Sequence, residues 1–353
     1  MPSLHDVSVP RLHASSIEAR LLRENGARDE EDGQTSQRAR VMQPDASMPP
    51  PAERSARRAA ATQNGPPPGR RGTPRPSFEG APQYYDYVAH GYDQMATAYD
   101  GVEGLNTISE RVRATSVAAT LRLIRPGQKL LELGCGTGRD AVTFARQGIH
   151  VTATDVSPNM VRVTRERADR EGVGDLVLTC PLSAADAAGL EGPFDGVYSN
   201  GAVLNLEPDL DRVAFGLRKN LLPGGFAILT AANRISLFEL ALYPIVLRPR
   251  KAFRKLGHAV PIPISRKGFG QRYVVPTGFL TPKEFRSRFR EGFEVLTLRG
   301  LEVITPPWNL VDLARLFRAA VAPLERLEDR IGSWPGFRSL GAIYLYVLQR
   351  TAR

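Results

Sequence analysis

The most restrictive feature of the sequence is a turn with three alternating glycines, Gly134, Gly136 and Gly138. The turn follows the apolar segment 129–133 and precedes a helical pattern that begins at Arg139. Glycine permits a tight turn and lets the backbone approach a ligand without a Cβ clash. Free N–H groups at a helix start favour an anion, and open parallel sheets bind ligands at the carboxyl ends of their strands. The turn therefore predicts a ligand site, although a strand-to-helix connection without a ligand would use the same residues.

Strand and helix patterns alternate along the chain beyond this turn. Further strands are predicted in four segments, residues 150–154, 176–179, 194–199 and 226–230. Such alternation is typical of an α/β fold with a doubly wound, mostly parallel sheet. Two last strands are predicted near residues 293–299 and 342–349, with only a loop and a helical region between them. We therefore expect one antiparallel strand near the C-terminus.

Three helix starts carry recognisable capping signals. Thr107 with Glu110 forms one capping-box pattern and Thr281 with Glu284 forms another, so each threonine is predicted to be an N-cap. Ser157 is followed by a proline, which is typical of an N-cap and the first helical position.

Composition separates an N-terminal tail from a folded region. Residues 1–80 are rich in proline and arginine and contain no aromatic residue before Phe78. Such a segment buries too little apolar surface to fold, so we expect a disordered tail and assign it no function.

The intracellular environment is also indicated by composition. The chain has 2 cysteines, which is typical of a reducing compartment. The longest apolar run, residues 237–247, is too short to span a bilayer, and the N-terminus lacks the apolar core of a signal peptide. A cytoplasmic location is therefore expected, with peripheral membrane contact as an open alternative.

Residues 235–275 form an insertion that the alternating pattern does not require. Its apolar stretch, residues 235–247, is followed by cations, and no acidic residue occurs between Glu239 and Glu284. The net charge of the chain is +10, and its basic excess lies in the C-terminal third, where residues 245–353 hold 20 basic and 8 acidic residues. This pattern is typical of a helical substrate lid or of an interfacial membrane helix. An ordinary amphipathic helix packed on the sheet would show it as well.

An acidic residue completes the ligand site. Asp155 ends the second strand, 21 residues beyond Gly134, where its carboxylate can accept hydrogen bonds from both hydroxyls of a ribose. Position 139 is arginine, whereas a dinucleotide-binding motif has its third glycine there, which disfavours a nicotinamide-dependent oxidoreductase.

With this acid, the chain resembles the class I methyltransferases, the seven-stranded Rossmann-like family that uses S-adenosylmethionine. The resemblance covers residues 92–230 and the two C-terminal strands, and it implies a methyltransferase domain over residues 84–353. It rests on Asp155 and four segments: Tyr99-Asp100, Leu131-Glu132-Leu133-Gly134-Cys135-Gly136-Thr137-Gly138, Phe194-Asp195-Gly196-Val197-Tyr198-Ser199-Asn200 and Leu221-Leu222-Pro223-Gly224-Gly225.

The resemblance implies S-adenosylmethionine as cofactor and a set of residues that bind it. That set is Tyr99, Glu132, Gly134, Cys135, Gly136, Thr137, Gly138, Asp155, Val156, Asp186, Asn200 and Gly201. One position departs from the family, which usually has an Asp directly after the third strand, near the adenine. Here Asp186 or a backbone amide of Ala184 or Ala185 takes that role.

The sequence does not single out the catalytic residues. Asn200, His90 and His258 are candidates, and each is equally explained as a turn or surface residue. No paired Cys/His spacing occurs, so no metal is predicted.

The sequence thus predicts methyl transfer to a small acceptor that is partly apolar or acidic, by in-line displacement driven mainly by positioning. A catalytically silent methyltransferase-like binding module is the alternative from another functional class. A nucleic-acid methyltransferase is less favoured, because the aromatic-rich modules of RNA-binding proteins are missing. The acceptor atom and the oligomeric state are not encoded in any pattern that we find.

Overall fold

The computed structural model describes residues 82–103, 106–257, 259–264, 273–316 and 318–352. The predicted tail, residues 1–80, lies outside the described residues. Nine strands are described: β1 (Lys129–Leu133), β2 (His150–Asp155), β3 (Val177–Pro181), β4 (Phe194–Ser199), β5 (Leu221–Ala232), β6 (Val260–Pro263), β7 (Val274–Thr277), β8 (Phe293–Leu301) and β9 (Ile343–Arg350).

Seven of these strands form one sheet in the order β3-β2-β1-β4-β5-β9-β8. The pairs from β3 to β5 are parallel, whereas β9 is antiparallel to both β5 and β8. The expectation of a mostly parallel sheet with one antiparallel strand near the C-terminus is confirmed, and β9 is that strand. Strand β1 has β2 as its neighbour on one side and β4 on the other, so the strand order reverses at β1. The loop that follows β1 lies at this switch point. Ligands of doubly wound sheets bind at this point.

Helices cover both faces of the sheet. They are α1 (Pro82–Asp93), α2 (Tyr99–Glu103), α3 (Thr107–Leu123), α4 (Arg139–Ala145), α5 (Pro158–Arg170), α6 (Leu210–Asn220), α7 (Leu237–Ile245), α8 (Pro249–Ala252), α9 (Pro282–Arg288), α10 (Val311–Leu316) and α11 (Arg318–Ile331).

Two apolar cores hold these helices on the strands. On one face, Leu217 of α6 and Phe285 of α9 belong to a core that includes strand residues of β1, β4, β5 and β9. On the other, Val117, Phe144 and Ala168 bring α3, α4 and α5 into the second core. Cover by helices on both faces explains why the residues of β1, β4 and β9 are almost continuously buried.

Two of the three predicted helix caps are observed. Ser157 accepts a hydrogen bond from the N–H of Met160, and Thr281 with Glu284 forms a reciprocal capping box. The prediction for Thr107 is wrong by one residue. Asn106 is the N-cap of α3, because its carboxamide oxygen accepts hydrogen bonds from the N–H groups of the second and third residues after it.

The insertion over residues 235–275 is only partly helical. Helices α7 and α8 are followed by the strands β6 and β7, which pair in an antiparallel ribbon apart from the main sheet. The ribbon has prolines at positions 261, 263 and 276, which suit a two-stranded edge rather than an inner strand. Among the described residues, no helix has the length and apolar character needed to cross a bilayer.

A single buried carboxylate fixes the loop after β8. Glu328 of α11 is 1% exposed and accepts hydrogen bonds from the backbone N–H groups of four successive residues, 302–305, at 2.8–3.2 Å. It also accepts the Thr305 hydroxyl at 2.9 Å and pairs with Arg111 of α3 at 3.0 Å. The charge is therefore neutralised by one cation and by converging backbone dipoles.

Replacing Glu328 by Gln should lower the free energy of unfolding by about 2–4 kcal/mol, because charged acceptors and a buried ion pair are lost together. Urea denaturation measures this change. The matched control is Asp329→Asn, since Asp329 pairs with the same arginine but is 55% exposed. The control should cost less than about 1 kcal/mol. Equal losses in both variants would contradict the role given to Glu328.

Candidate active site

All three glycines of the loop after β1 have left-handed backbone conformations, with φ of 73° at Gly134, 55° at Gly136 and 78° at Gly138. A Cβ at Gly134 would lie 2.3 Å from a methyl carbon of Val203, and one at Gly138 would lie 2.7 Å from Thr164. A Cβ at Gly136 would meet no atom within 4 Å. The outer glycines are therefore required by packing within the protein, and the middle one faces open space.

The carboxylate of Asp155 closes this loop from β2. One oxygen accepts the N–H of Gly136 and the other accepts the N–H of Ser157, both at 2.9 Å. Burial raises the pKa of Asp155 to about 6, although these backbone hydrogen bonds lower it. Each oxygen has a second lone pair, so the group can also accept both hydroxyls of a ribose.

Glu132 supplies the second acidic group of the site. Its side chain is 2% exposed, and one of its carboxylate oxygens has no hydrogen-bond partner among the described residues. Burial, and then the charge of Asp140, raise the pKa of Glu132 well above its usual value. A buried acceptor without a partner is costly, so this oxygen fits the ammonium group of a bound amino acid such as the methionine part of the expected cofactor.

The N-terminal segment is tied to the same loop by two aspartates. Asp100 accepts the Thr137 hydroxyl at 2.5 Å and forms an ion pair with Arg167. Asp93 accepts the Ser157 hydroxyl at 2.5 Å. These contacts place α1 and α2 over the glycine loop. The role of Asp93 was not indicated by the sequence, because a single acid at a helix end is commonplace.

One cavity of about 470 Å³ joins these groups. Ten of the twelve residues predicted to bind the cofactor line it: Tyr99, Glu132, Gly134, Cys135, Gly136, Thr137, Asp155, Val156, Asn200 and Gly201. Gly138 lies behind the loop against Thr164 instead. The size is typical of a small-molecule site.

Asp186 is the one acidic residue of that set that the structure places elsewhere. It forms an ion pair with Arg212 at 2.5 Å and accepts the Ser183 hydroxyl at 2.7 Å, and it does not line the cavity. An exposed arginine thus holds the carboxylate on the surface. The corresponding wall is formed by Leu182, Ser183 and Ala184.

The three catalytic candidates differ in position. Asn200 lines the cavity, and its side-chain oxygen accepts the Thr230 hydroxyl at 2.9 Å. His90 is exposed, lies outside the lining, and has a ring nitrogen 2.6 Å from the carbonyl oxygen of Asp86. The structure therefore does not support His90 as a general base. His258 lies outside the described residues.

Cys135 is a packing residue of the loop. Its side chain is 7% exposed and its sulfur lies 3.4 Å from the Thr164 hydroxyl. Burial raises the pKa of the thiol well above its usual value, so a nucleophilic thiolate is disfavoured. Among the described residues, no group of three or more metal-binding side chains is found.

The cavity continues beyond the cofactor loop to the insertion and the loop after β8. This second half is lined by Arg254, Lys255, Ile262, Pro263, Ile264, Thr277, Phe279, Trp308 and Asn309. Lys255 is buried and pairs with Glu239 of α7 at 2.7 Å. Its ammonium lies 5.4 Å from the ring centre of Phe279. Sequence patterns did not indicate this pair, because its partners meet only through the tertiary fold.

Replacing Gly136 by Ala should abolish cofactor binding while the protein remains folded. The left-handed conformation costs an alanine roughly 1–2 kcal/mol, and its methyl group would project into the cavity. The control is Gly127→Ala, which has φ of 82° and equally open space but lies outside the cavity. Calorimetry with S-adenosylmethionine should show binding by the control alone. Normal binding by the Gly136 variant would place the cofactor elsewhere.

Cofactor affinity should fall as the pH falls through about 6. The pKa of Asp155 is raised, so its carboxylate is ionised above this pH and progressively protonated below it. Protonation removes an acceptor from the ribose site. Dissociation constants measured across this range should rise at low pH in the wild type. In Asp155→Asn they should be high and should lack the change near pH 6, and a change retained at that pH would assign it to another group.

Comparisons with known proteins agree with this geometry. Residues 130–225 match the family model described as a methyltransferase domain. Methyltransferase GfsG of Streptomyces halstedii is 34% identical over 106 residues, which cover 29% of this chain and 37% of that protein. Demethylmenaquinone methyltransferase of Streptomyces avermitilis is 31% identical over 146 residues, 40% of this chain and 58% of that protein. The chain therefore spans less than two thirds of these relatives.

A solved structure with similarity to this chain is that of the [4+2]-cyclase SpnF. The TM-score is 0.46 at 18% identity, with 75% of this chain and 96% of that chain covered.

The sheet order, the glycine loop that faces Asp155, and the family match over the same strands agree with one another. The site has open space at Gly136, a carboxylate at Asp155 that can accept ribose hydroxyls, and an unpartnered oxygen at Glu132 for an ammonium group. These features fit S-adenosylmethionine, which is the cofactor. Residues 130–225 thus match a methyltransferase domain, and the sheet around them has the strand order expected for the seven-stranded Rossmann-like methyltransferases that use S-adenosylmethionine.

Proposed function

We propose that the protein transfers the methyl group of S-adenosylmethionine to a small acceptor that is partly apolar or acidic. The observation that carries this proposal is the continuous cavity that runs from the glycine loop to the insertion. Its first half has the residues that hold the cofactor. Its second half is lined mainly by apolar side chains, which suits the body of an acceptor.

The chemistry requires little more than alignment. S-adenosylmethionine, held by Gly136, Asp155 and Glu132, would supply an electrophilic methyl group with a neutral thioether as the leaving group. The chain holds the acceptor in line and excludes water. Such positioning can contribute about 7–11 kcal/mol. We place the methyl group beside Asn200 and Gly201, which follow β4 and lie in the cavity wall between the cofactor half and the acceptor half.

The charges of the second half favour an acceptor with an anionic group. Lys255 is already neutralised by Glu239, whereas Arg254 is exposed and lines the cavity. An acceptor that is ionised at neutral pH needs no general base to become nucleophilic. This agrees with the absence of a histidine from the described cavity lining.

The names of the relatives do not narrow the acceptor. Demethylmenaquinone methyltransferases and a phosphoethanolamine N-methyltransferase are named for small molecules, but a ribosomal protein L11 methyltransferase is similar too. Shared folds carry many acceptors. Support for a small acceptor therefore comes from the shape and lining of the cavity.

The test is methyl transfer from radiolabelled S-adenosylmethionine to a panel of phenols, quinols and apolar carboxylic acids. Ile262→Trp should fill the second half of the cavity and abolish transfer with unchanged cofactor affinity. Leu178→Trp, on the exposed side of β3, is the size-matched control and should remain active. Arg254→Gln should raise KM for anionic acceptors and leave neutral ones unaffected.

Two results would overturn the proposal. Full activity of the Ile262 variant would place the acceptor outside this half of the cavity. Tight cofactor binding without transfer to any member of the panel, or to RNA or protein substrates, would favour the silent binding module.

A further inference from the structure

A cluster of large apolar side chains is exposed on the insertion. We call Ile245, Val246, Leu247, Phe253 and Leu256 the apolar tip; their exposed fractions are 77%, 47%, 89%, 55% and 53%. Of the 13 large apolar side chains exposed in the described part of the chain, these five fall within 12 consecutive residues. Scattered exposed residues need no explanation, but exposed apolar side chains concentrated in one short segment are typical of an interaction surface.

The backbone at Leu247 adds an independent observation. Leu247 follows the end of α7 and has φ of 55°, in the left-handed region. The N–H of Arg248 donates to the carbonyl oxygen of Tyr243 at 2.8 Å, which closes the helix in the manner that usually places glycine at this position. Leucine is therefore held in an unfavourable conformation and is almost fully exposed. Packing among the residues that the structure describes does not account for this conformation.

Cations alternate in the sequence with the residues of the apolar tip, and we call them its cationic rim. Arg248, Arg250, Lys251 and Arg254 are all exposed. The first three form no ion pair with the residues that the structure describes, and the sequence contains no acidic residue between Glu239 and Glu284. The patch is thus strongly positive without local compensation.

An apolar tip within a cationic rim matches the boundary of an anionic bilayer. Apolar side chains enter the region between headgroups and acyl chains, while arginine and lysine stay at the phosphates. Single-stranded RNA is a poorer match, because it needs several aromatic faces for stacking and the tip has one, Phe253.

We propose that the apolar tip and its cations dock the protein on the surface of an anionic membrane. Arg254 and Lys255, between Phe253 and Leu256, also line the cavity. The docked surface therefore borders the acceptor half of the cavity, and apolar acceptors reach it from the lipid. Docking goes beyond the proposed methyl transfer and is measured without it.

The first experiment is cosedimentation of the full chain with phosphatidylcholine vesicles, with and without phosphatidylglycerol. We expect binding only to the anionic vesicles. Leu247→Gly should weaken it roughly tenfold, because an inserted side chain is lost. The same change relieves the left-handed strain, so Tm should be unchanged or higher. Leu178→Gln, which removes a 65% exposed leucine of β3, is the control and should bind normally.

The second experiment neutralises the rim. The triple variant Arg248→Gln, Arg250→Gln, Lys251→Gln should bind roughly a hundredfold more weakly. The matched triple variant Arg162→Gln, Arg165→Gln, Arg170→Gln removes the same charge from α5 and should bind within about twofold of wild type, since screening confines the attraction to nearby charges.

Several outcomes would overturn the proposal. They are equal binding to neutral vesicles, wild-type binding by Leu247→Gly, equal loss in both triple variants, or tighter binding to single-stranded RNA through the same cations. Calorimetry with S-adenosylmethionine accompanies each variant. If the wild-type protein binds S-adenosylmethionine but not anionic vesicles, the membrane proposal is wrong and the proposed methyl transfer is unaffected.

Discussion

The carboxylate of Asp155 is the interaction on which the site depends. By accepting the N–H groups of Gly136 and Ser157 it joins the loop after β1 to the start of α5. Parallel pairing of β1 with β2 places these two loops at the same edge of the sheet. Ser157 in turn donates to Asp93, so the covering helix α1 is held to the same point. A change in any one of these contacts alters the shape of the cofactor half of the cavity.

Local patterns in the sequence predict most of the residues that line the first half of the cavity. Alternating glycines, an acid at the end of β2 and capped helix starts each depend on neighbours within a few residues, so they can be predicted without the fold. Asn106 shows the limit of this reasoning: two adjacent residues, Asn106 and Thr107, both suit a cap, and only the backbone geometry decides between them. Asp186 shows another limit, because its partner Arg212 is distant in sequence.

The acceptor side depends on tertiary contacts throughout. Its wall is assembled from the insertion, the strand β7 and the loop that Glu328 holds. The Glu239–Lys255 pair is buried inside this wall, where desolvation offsets much of its attraction. Such a pair contributes more to a defined geometry than to stability. The same fold can therefore keep its donor half constant while the acceptor half diverges.

The contacts of Asp93 and Asp100 have a consequence for the rate at which the cofactor is exchanged. Both aspartates accept hydrogen bonds from residues of the two loops that form the cofactor half of the cavity. These contacts hold α1 and α2 over that half. Each such contact contributes only about 0.5–3 kcal/mol in net terms. Contacts of this size hold the two helices in place together, and each of them is weak enough to break during the segment motions that accompany ligand exchange in enzymes. Exchange of the cofactor therefore requires the contacts of Asp93 and Asp100 to break and form again.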